Sequence, residues 1–427
     1  MKITHSAQWV SKQSGSSRVL PITWAPCLLL AAMLGLSAQA GAAASIEREQ
    51  AKFIHDRLNG TPPSADMLAA MEQEIIHGDL VGAAKLAMDG NGSVEATGNF
   101  YTVTLKNWAT PWTNEEDDVF APLNDYSALV IGLVRDELDF RQLLSGDILY
   151  IGANGLGLAD AYSMSNNRHY EQLERSGANL GDAAVLQKTT QSSLLNIDSR
   201  GIAGIFSTRA AAKAFFSDGT NRAMFRFTVR NHLCNDMEQL KDAELPADRI
   251  RQDVSRSPGG DSRLFLNGCV ACHTGMDPLT QAFAYYDWDY FDDKETGRLV
   301  YTPGVVQEKY LINGNNFKPG FVTPDDSWTN HWRQGANVEK LGWTTDITGD
   351  DIYTHGTGAA SMGAELANSK AFAYCQVSKA FKAVCLRQPT PADSSAVETI
   401  AGGFLSDHNL KNVFAGLAAT CSEELEL

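Results

Sequence analysis

Apolar residues recur every three to four positions along most of the chain, a period that predicts amphipathic helices rather than strands. The pattern is clearest in residues 45–58, 64–76 and 79–88. The first of these stretches begins with Ser45, a residue suited to an N-cap, and ends at Asn59-Gly60. The beginning of the mature chain is therefore expected to be helical.

The helical pattern resumes in the middle of the chain, at residues 126–138, 208–216 and 220–234. We expect a capping box at residues 113–116 and a short strand at 148–151. Residues 163–198 are polar and weakly patterned, and are expected to form either a domain joint or long surface loops. The sequence predicts a mainly α, multi-helical fold with few short strands. It divides into a helical N-terminal domain (41–195) and a second helical domain (196–427).

Residues 1–40 have the composition of a secretory signal peptide. Three basic residues precede an apolar run at 25–40, which ends in the cleavage signature Ala38-Gln39-Ala40, and no acidic residue occurs before Glu47. The run is short for a membrane span, although an uncleaved anchor remains the alternative. We expect a periplasmic or secreted protein with no integral span after cleavage.

The most specific motif lies in the second predicted domain, at Cys269-Val270-Ala271-Cys272-His273. C-x-x-C-H is the sequence form of a c-type haem attachment site. Its two thiols bond to the vinyl groups of one porphyrin, and the histidine binds iron as the proximal ligand. Export supports one covalently bound haem c as the cofactor, while a zinc half-site and a redox dithiol remain alternatives.

The residue that faces the iron opposite His273 decides whether the protein carries electrons or catalyses a reaction. A methionine or histidine there gives an electron carrier, whereas an open position gives peroxidase or oxygen chemistry. Met276 is too close to His273 to cross the porphyrin. We favour Met362, on a small-residue stretch where the backbone can approach the haem closely. His355, His331 and, after them, Met224 or Met237 are the other candidates.

The residues after the motif predict a new helix. Asp277 is expected to cap it, with Pro278 at its first position, and the helix should continue to about Tyr286. Aromatic residues in and after this helix are suited either to enclosing a porphyrin or to ordinary core. They are Phe283, Tyr285, Tyr286 and Trp288.

Four cysteines remain once Cys27 in the leader and the two motif cysteines are set aside: Cys234, Cys375, Cys385 and Cys421. In an oxidising compartment, four cysteines suggest two disulfides. Cys375 and Cys385 are expected on one helix, about 15 Å apart, and so cannot pair with each other. The preferred connectivity is Cys234–Cys375 with Cys385–Cys421.

The net charge of the chain narrows the class of partner that it can bind. The formal net charge is −16, and the leader contributes only basic residues, so the mature chain is more acidic still. This disfavours nucleic acid and suits a redox partner with a basic docking face. Arg222, Arg226 and Arg230 form a helical stripe that fits either the haem propionates or, as we favour, a solvated surface.

The segment from Cys269 to Asp287 reads CVACHTGMDPLTQAFAYYD. It resembles the haem-binding segment of the planctomycete-type cytochrome c-like proteins, whose domains mostly carry unknown-function names. Residues 199–234 and 366–414, and more weakly 57–64, are similar to helical regions of that family. The resemblance implies an exported, helical, haem c-binding protein, and it defines no reaction.

We therefore expect an exported monohaem c-type cytochrome in electron transfer, with His273 as proximal ligand. The alternatives are a haem enzyme of peroxidase or oxygenase type with an open distal site, and a structural or binding protein whose haem stabilises the fold. The sequence lacks the G-x-S-x-G of a nucleophile elbow and has a single C-x-x-C-H. An electron carrier is favoured over a catalyst.

Overall fold

A computed structural model describes residues 45–216, 220–247, 263, 267–293, 296–310, 321–345 and 354–426. The expected signal peptide, with its Cys27, lies outside these residues. Residues 44–427 form one compact unit.

The described residues form fourteen α-helices and six short strands, so the mainly α prediction is confirmed. The helices are α1 (Ile46–Asn59), α2 (Ala65–Ile76), α3 (Leu80–Asp89), α4 (Lys106–Ala109), α5 (Asp125–Arg135), α6 (Arg168–Arg175), α7 (Arg209–Phe215), α8 (Arg222–His232), α9 (Val270–Thr280), α10 (Asn337–Leu341), α11 (Gly358–Ala367), α12 (Lys370–Cys385), α13 (Ser394–Asp407) and α14 (Leu410–Glu423).

The first helices begin and end where local signals predict. The Ser45 side chain accepts a hydrogen bond from the Arg48 backbone, which satisfies one free N–H of the first turn of α1. Gly60 ends α1 in the left-handed region, with φ of 68°. Ser64 caps α2, and Asp79 caps α3.

The strands form three separate antiparallel pairs. They are β1 (Leu149–Gly152) with β2 (Leu186–Thr189), β3 (Tyr286–Tyr290) with β4 (Gly297–Tyr301), and β5 (Ser327–Asn330) with β6 (Thr354–Thr357). The expected strand at 148–151 is β1. Its partner β2 and helix α6 lie in the stretch expected to be a domain joint or surface loops. That part of the prediction was wrong because Tyr170 and Leu173 of α6 are buried in the core.

The expected capping box at 113–116 was also wrong. Thr113 ends a short 3₁₀ turn, and its hydroxyl donates to the Thr110 carbonyl. The helix begins twelve residues later, where Asn124 accepts from the Ser127 backbone and the Ser127 hydroxyl accepts from the Asn124 backbone. The reciprocal bonds of a capping box are thus present, but at Asn124.

One hydrophobic core runs through most of this unit. Helices α1 and α3 pack against α14, and α14 packs against α12. Ile54 and Leu58 of α1 are buried in the same cluster as Phe414 and Leu417 of α14. The domain boundary predicted between residues 195 and 196 therefore crosses a continuous core.

The four remaining cysteines pair in the expected connectivity, at distances typical of disulfides. The Cα atoms of Cys234 and Cys375 are 5.2 Å apart, and those of Cys385 and Cys421 are 5.8 Å apart. Cys375 and Cys385 lie on the one helix, α12, as expected. The first pair joins the segment after α8 to α12.

No helix in the described part of the chain combines the length and the apolar character that crossing a bilayer requires.

Candidate functional site

The C-x-x-C-H motif lies at the beginning of α9. Cys269 occupies the N-cap position, and its carbonyl accepts from the backbone N–H groups of Cys272 and His273, both at 3.2 Å. This first turn directs the side chains of all three residues into one cavity, which we call the motif cavity. The structure therefore brings together the residues that the sequence singled out.

The helix after the motif differs from the prediction. Helix α9 runs from Val270 to Thr280 and contains Pro278, so Asp277 is not an N-cap and the helix does not reach Tyr286. Proline has no N–H, and the Thr274 carbonyl therefore loses its helical partner. The Nδ1 atom of His331 lies 3.1 Å from that carbonyl and donates to it. A histidine distant in sequence thus supplies the hydrogen bond that the Thr274 carbonyl lacks.

Because Asp277 does not cap a helix, its carboxylate is available for other contacts. Each of its oxygens lies 3.1 Å from Nδ1 of His273, one turn earlier in α9. Arg222 of α8 donates to the same carboxylate through Nε and Nη2, both at 2.8 Å. The Asp277 side chain is fully buried and that of Arg222 is 21% exposed.

This geometry fixes the tautomer of His273. A carboxylate held by a bidentate arginine is ionised and can only accept hydrogen bonds. Nδ1 of His273 therefore carries the proton and donates it to Asp277. In a neutral imidazole with the proton on Nδ1, the lone pair is on Nε2, the atom that binds the metal in carboxylate–histidine–metal arrangements.

The motif cavity has a volume of about 660 Å³, within the roughly 300–1,000 Å³ typical of cofactor pockets. Besides the motif its lining combines apolar and charged side chains. They are Phe227, Met237, Met276, Ala223, Arg222, Arg226, Asp236, Glu115 and Glu238. The four apolar side chains, together with two thiols and an imidazole, suit a large, flat cofactor.

The two motif cysteines are partly buried and form no disulfide, unlike the other four cysteines of the described chain. Burial raises the pKa of the Cys272 thiol, and the nearby charge of Glu238 raises it further. Reactive redox cysteines have a lowered pKa and an electropositive surrounding. The environment of Cys272 therefore disfavours the redox-dithiol alternative. In the described residues no group of three or more His, Cys, Asp or Glu side chains is arranged to hold a metal ion.

The segment that follows α8 forms one wall of the motif cavity and was missed by sequence reasoning. The Asp242 backbone N–H donates to the Ala271 carbonyl at 2.8 Å, and the Thr274 hydroxyl donates to the Asp242 carbonyl at 2.8 Å. Met237 lies in this segment, and its carbonyl is 3.5 Å from the Cys272 sulfur. The Cys234–Cys375 pair anchors the start of the segment.

The structure does not bring Met362 to the motif cavity. Met362 is fully buried in α11 and is not among the cavity-lining residues. Every methionine and histidine after residue 44 falls within the described residues. Among them, only Met237 and Met276 join His273 in lining this cavity. Met276 follows His273 by three residues on the same helix, so Met237 is the methionine supplied by a separate segment.

The other groups proposed from sequence lie elsewhere. His355 pairs with the Thr329 hydroxyl between β5 and β6, at 3.0 Å. The aromatic residues after the motif do not line the cavity. Phe283, for example, packs on Phe206 and Phe216, with ring centroids 5.1 and 5.4 Å apart. These residues belong to the core.

The arginine stripe of α8 faces the motif cavity only in part. Arg222 and Arg226 line it, whereas Arg230 does not; Arg230 pairs with Asp117 and stacks on Phe227. Arg226 donates to the Asp236 carboxylate at 2.8 and 2.6 Å. All three arginines thus already hold protein carboxylates.

A second cavity, of about 760 Å³, lies beside residues 113–124, 166–171 and 209–214. Its lining is polar and includes Arg168, Arg209, Glu116 and Glu171, with no cysteine, histidine or methionine. The larger cavity is therefore not the one that carries the motif chemistry.

Comparisons with protein-family models, with curated proteins and with solved structures found no match to this chain.

Proposed function

We propose that this protein is an exported monohaem c-type cytochrome that transfers electrons. The proposal rests on one observation: Cys269, Cys272 and His273 line a single cavity of about 660 Å³, with Nδ1 of His273 3.1 Å from the carboxylate of Asp277. The resemblance of this segment to planctomycete-type cytochrome c-like proteins is part of the same proposal. So are the signal peptide and a periplasmic or secreted location.

In this proposal Cys269 and Cys272 form thioether bonds to one haem c, and His273 binds its iron as the proximal ligand. The bound haem would supply one-electron chemistry by cycling between Fe(III) and Fe(II). We propose Met237, in place of Met362, for the sixth position, because Met237 lines the cavity from a segment other than α9. A filled sixth position gives a carrier rather than an enzyme.

The partner would be a redox protein with a basic docking face. Glu115, Asp236 and Glu238 line the motif cavity, and the chain as a whole is acidic. Complementary charge steers association and makes its rate fall with added salt. We expect no nucleic-acid partner.

The first test is covalent haem. The full chain is expressed with its leader in a host that matures c-type cytochromes, and haem is measured on a denaturing gel. We expect about one haem per chain, and none for Cys269→Ala/Cys272→Ala. The matched control, Cys385→Ala/Cys421→Ala, removes two cysteines outside the motif and should keep its haem. A wild-type chain without covalent haem would refute the proposal.

The second test concerns the sixth ligand. We expect the reduced protein to bind carbon monoxide slowly, and Met237→Leu to bind it rapidly and to lose the methionine–iron absorption band. Met362→Leu is the control and should leave the spectrum unchanged. Methionine-to-leucine changes nearly conserve volume. Rapid binding of carbon monoxide by the wild type would instead favour the haem enzyme with an open distal site.

A further inference from the structure

The contact between His273 and Asp277 orients the imidazole ring and also changes its basicity. A carboxylate that accepts the Nδ1 proton increases the basicity of the imidazole, so Nε2 becomes a stronger donor to a bound metal. A stronger donor stabilises the more highly charged state of the metal. For iron, that state is Fe(III) rather than Fe(II).

Arg222 makes this contact rigid. Its two parallel bonds to Asp277, both 2.8 Å, leave the carboxylate little freedom to rotate. The Asp277 side chain is fully buried, so water does not compete for it. Arg222 comes from α8 and Asp277 from α9, and the pair therefore also sets the position of one helix against the other.

We propose that Asp277, held by Arg222, is a positioning residue that lowers the reduction potential of the haem bound at His273. This inference rests on the proposed function, because it requires haem iron on Nε2. It adds to that function a specific bias toward the oxidised protein. Neither residue would touch the iron itself.

The chain supplies a matched control pair outside the motif cavity. Arg387 and Asp393 form a second bidentate pair, with distances of 2.7 and 2.8 Å, and neither residue lines the motif cavity. Asp393 is buried, like Asp277. Replacing either pair by its neutral counterparts leaves the net charge of the protein unchanged.

The experiment compares Asp277→Asn/Arg222→Gln with Asp393→Asn/Arg387→Gln by spectroscopic redox titration of the haem-loaded protein. Changes in the residues that contact a metal ligand typically alter metal properties by about tenfold or more. At a fixed ambient potential we expect the Fe(II)/Fe(III) ratio to rise about tenfold in the Asp277 variant, which corresponds to a reduction potential about 59 mV higher for one electron. The Asp393 variant should stay close to the wild type. Equal potentials for the two double variants would overturn the inference.

Asp277→Glu is the rescue variant. It keeps a carboxylate next to Nδ1 of His273, so its potential should return toward the wild-type value. A variant that only loosened the fold would not show this recovery. A potential for Asp277→Glu equal to that of the asparagine double variant would contradict a role for the carboxylate.

A second measurement needs no substitution and covers the case in which the variants fail to fold. In the proton NMR spectrum of the ferric wild type, the Nδ1 proton of His273 should be shifted by the iron and protected from solvent exchange. Rapid exchange of that proton would overturn the inference. A wild type without covalent haem would refute the proposed function as well, whereas haem-loaded protein with an exchanging proton would refute only the role of Asp277.

Discussion

The helical bundle and the motif cavity are held together in different ways. We use helical bundle for α1, α3, α12 and α14, which pack on one another through buried apolar side chains. Each of these helices has a side-chain N-cap from the residue directly before it. Those caps are Ser45, Asp79, Ser369 and Asn409.

Helix α9, which carries the motif, has none of these local supports. Its N-cap residue, Cys269, makes no capping bond through its side chain, and Pro278 interrupts its hydrogen-bond ladder. Its polar groups are satisfied instead by residues distant in sequence, such as Arg222, Asp242 and His331. The comparison shows that the bundle depends on local signals and apolar burial, and the cavity on long-range polar pairs.

The largest effect should come from the bundle. Phe414 is fully buried, and its ring lies 5.2 Å from the rings of both Phe100 and Trp108. Phe414→Ala leaves a cavity there, and such changes reduce the free energy of unfolding by about 3–5 kcal/mol. Denaturant unfolding followed by circular dichroism measures the loss. Phe120→Ala is the control: Phe120 is 88% exposed, so its change should stay within about 0.5 kcal/mol.

A smaller effect is expected at the cavity. A Cβ added at Gly275 would overlap Nε1 of the buried Trp332, whereas one added at Gly268 would meet no atom within 4 Å. Gly275→Ala should therefore lower the free energy of unfolding by about 1–3 kcal/mol, the usual cost of overpacking. It should also move α9, and haem loading should fall with it. Equal haem loading in Gly275→Ala and the control Gly268→Ala would contradict a close fit between α9 and Trp332.

The same comparison explains what could be predicted from the sequence. The bounds of α1, α2 and α3 and the mainly helical fold depend on caps and periodicity, which can be read over short stretches. Helix geometry excluded a bond between Cys375 and Cys385, but it left two connectivities for the four cysteines, and the observed one was only preferred. The domain boundary placed at 196 has no such local signal, because α1 packs against α14, more than 350 positions away.

The site was predicted only where a motif fixed it. Cys269, Cys272 and His273 share a cavity as their spacing predicts, but Asp277 was assigned to a cap because Asp-Pro usually begins a helix. A helix beginning at the motif instead places Asp277 one turn after His273, and this spacing was the available signal. Nothing local indicates that Arg222 completes the pair or that Met237 lines the cavity. Those depend on how α8 and the segment after it fold back on α9.

The smallest change expected per step of the measurement, here one pH unit, tests a half-buried lysine in the bundle. Lys379 of α12 lies 4.4 Å from the ring centroid of Trp112 and donates to the Asn231 carbonyl at 2.6 Å. Burial, with a smaller contribution from Arg230, lowers the pKa of Lys379 to about 7, and Asp117 opposes that shift. In the unfolded chain a lysine titrates near pH 10.4.

Between pH 7 and about 10, the unfolded chain therefore binds one proton more than the folded protein does at Lys379. The free energy of unfolding should rise with pH across this window, by at most about 1.4 kcal/mol per pH unit, and level off below pH 7. Nearby His232, whose pKa burial also lowers, contributes only below its ordinary value of about 6.5. Cys272, whose pKa burial raises, also titrates at pH 7.5–9.5, with the opposite slope. Because it is present in both proteins, the difference in slope between the wild type and a Lys379 variant isolates Lys379.

Lys379→Met should remove this slope, because methionine fills a similar volume and binds no proton. The control is Lys382→Met, an exposed residue of the same helix, which should keep the wild-type slope. Identical slopes in the wild type and Lys379→Met would mean that the ammonium group is hydrated in the folded protein. In that case water would solvate the charge of Lys379 in the folded protein. The bundle would then differ less from the motif cavity, where other side chains pair with the charges.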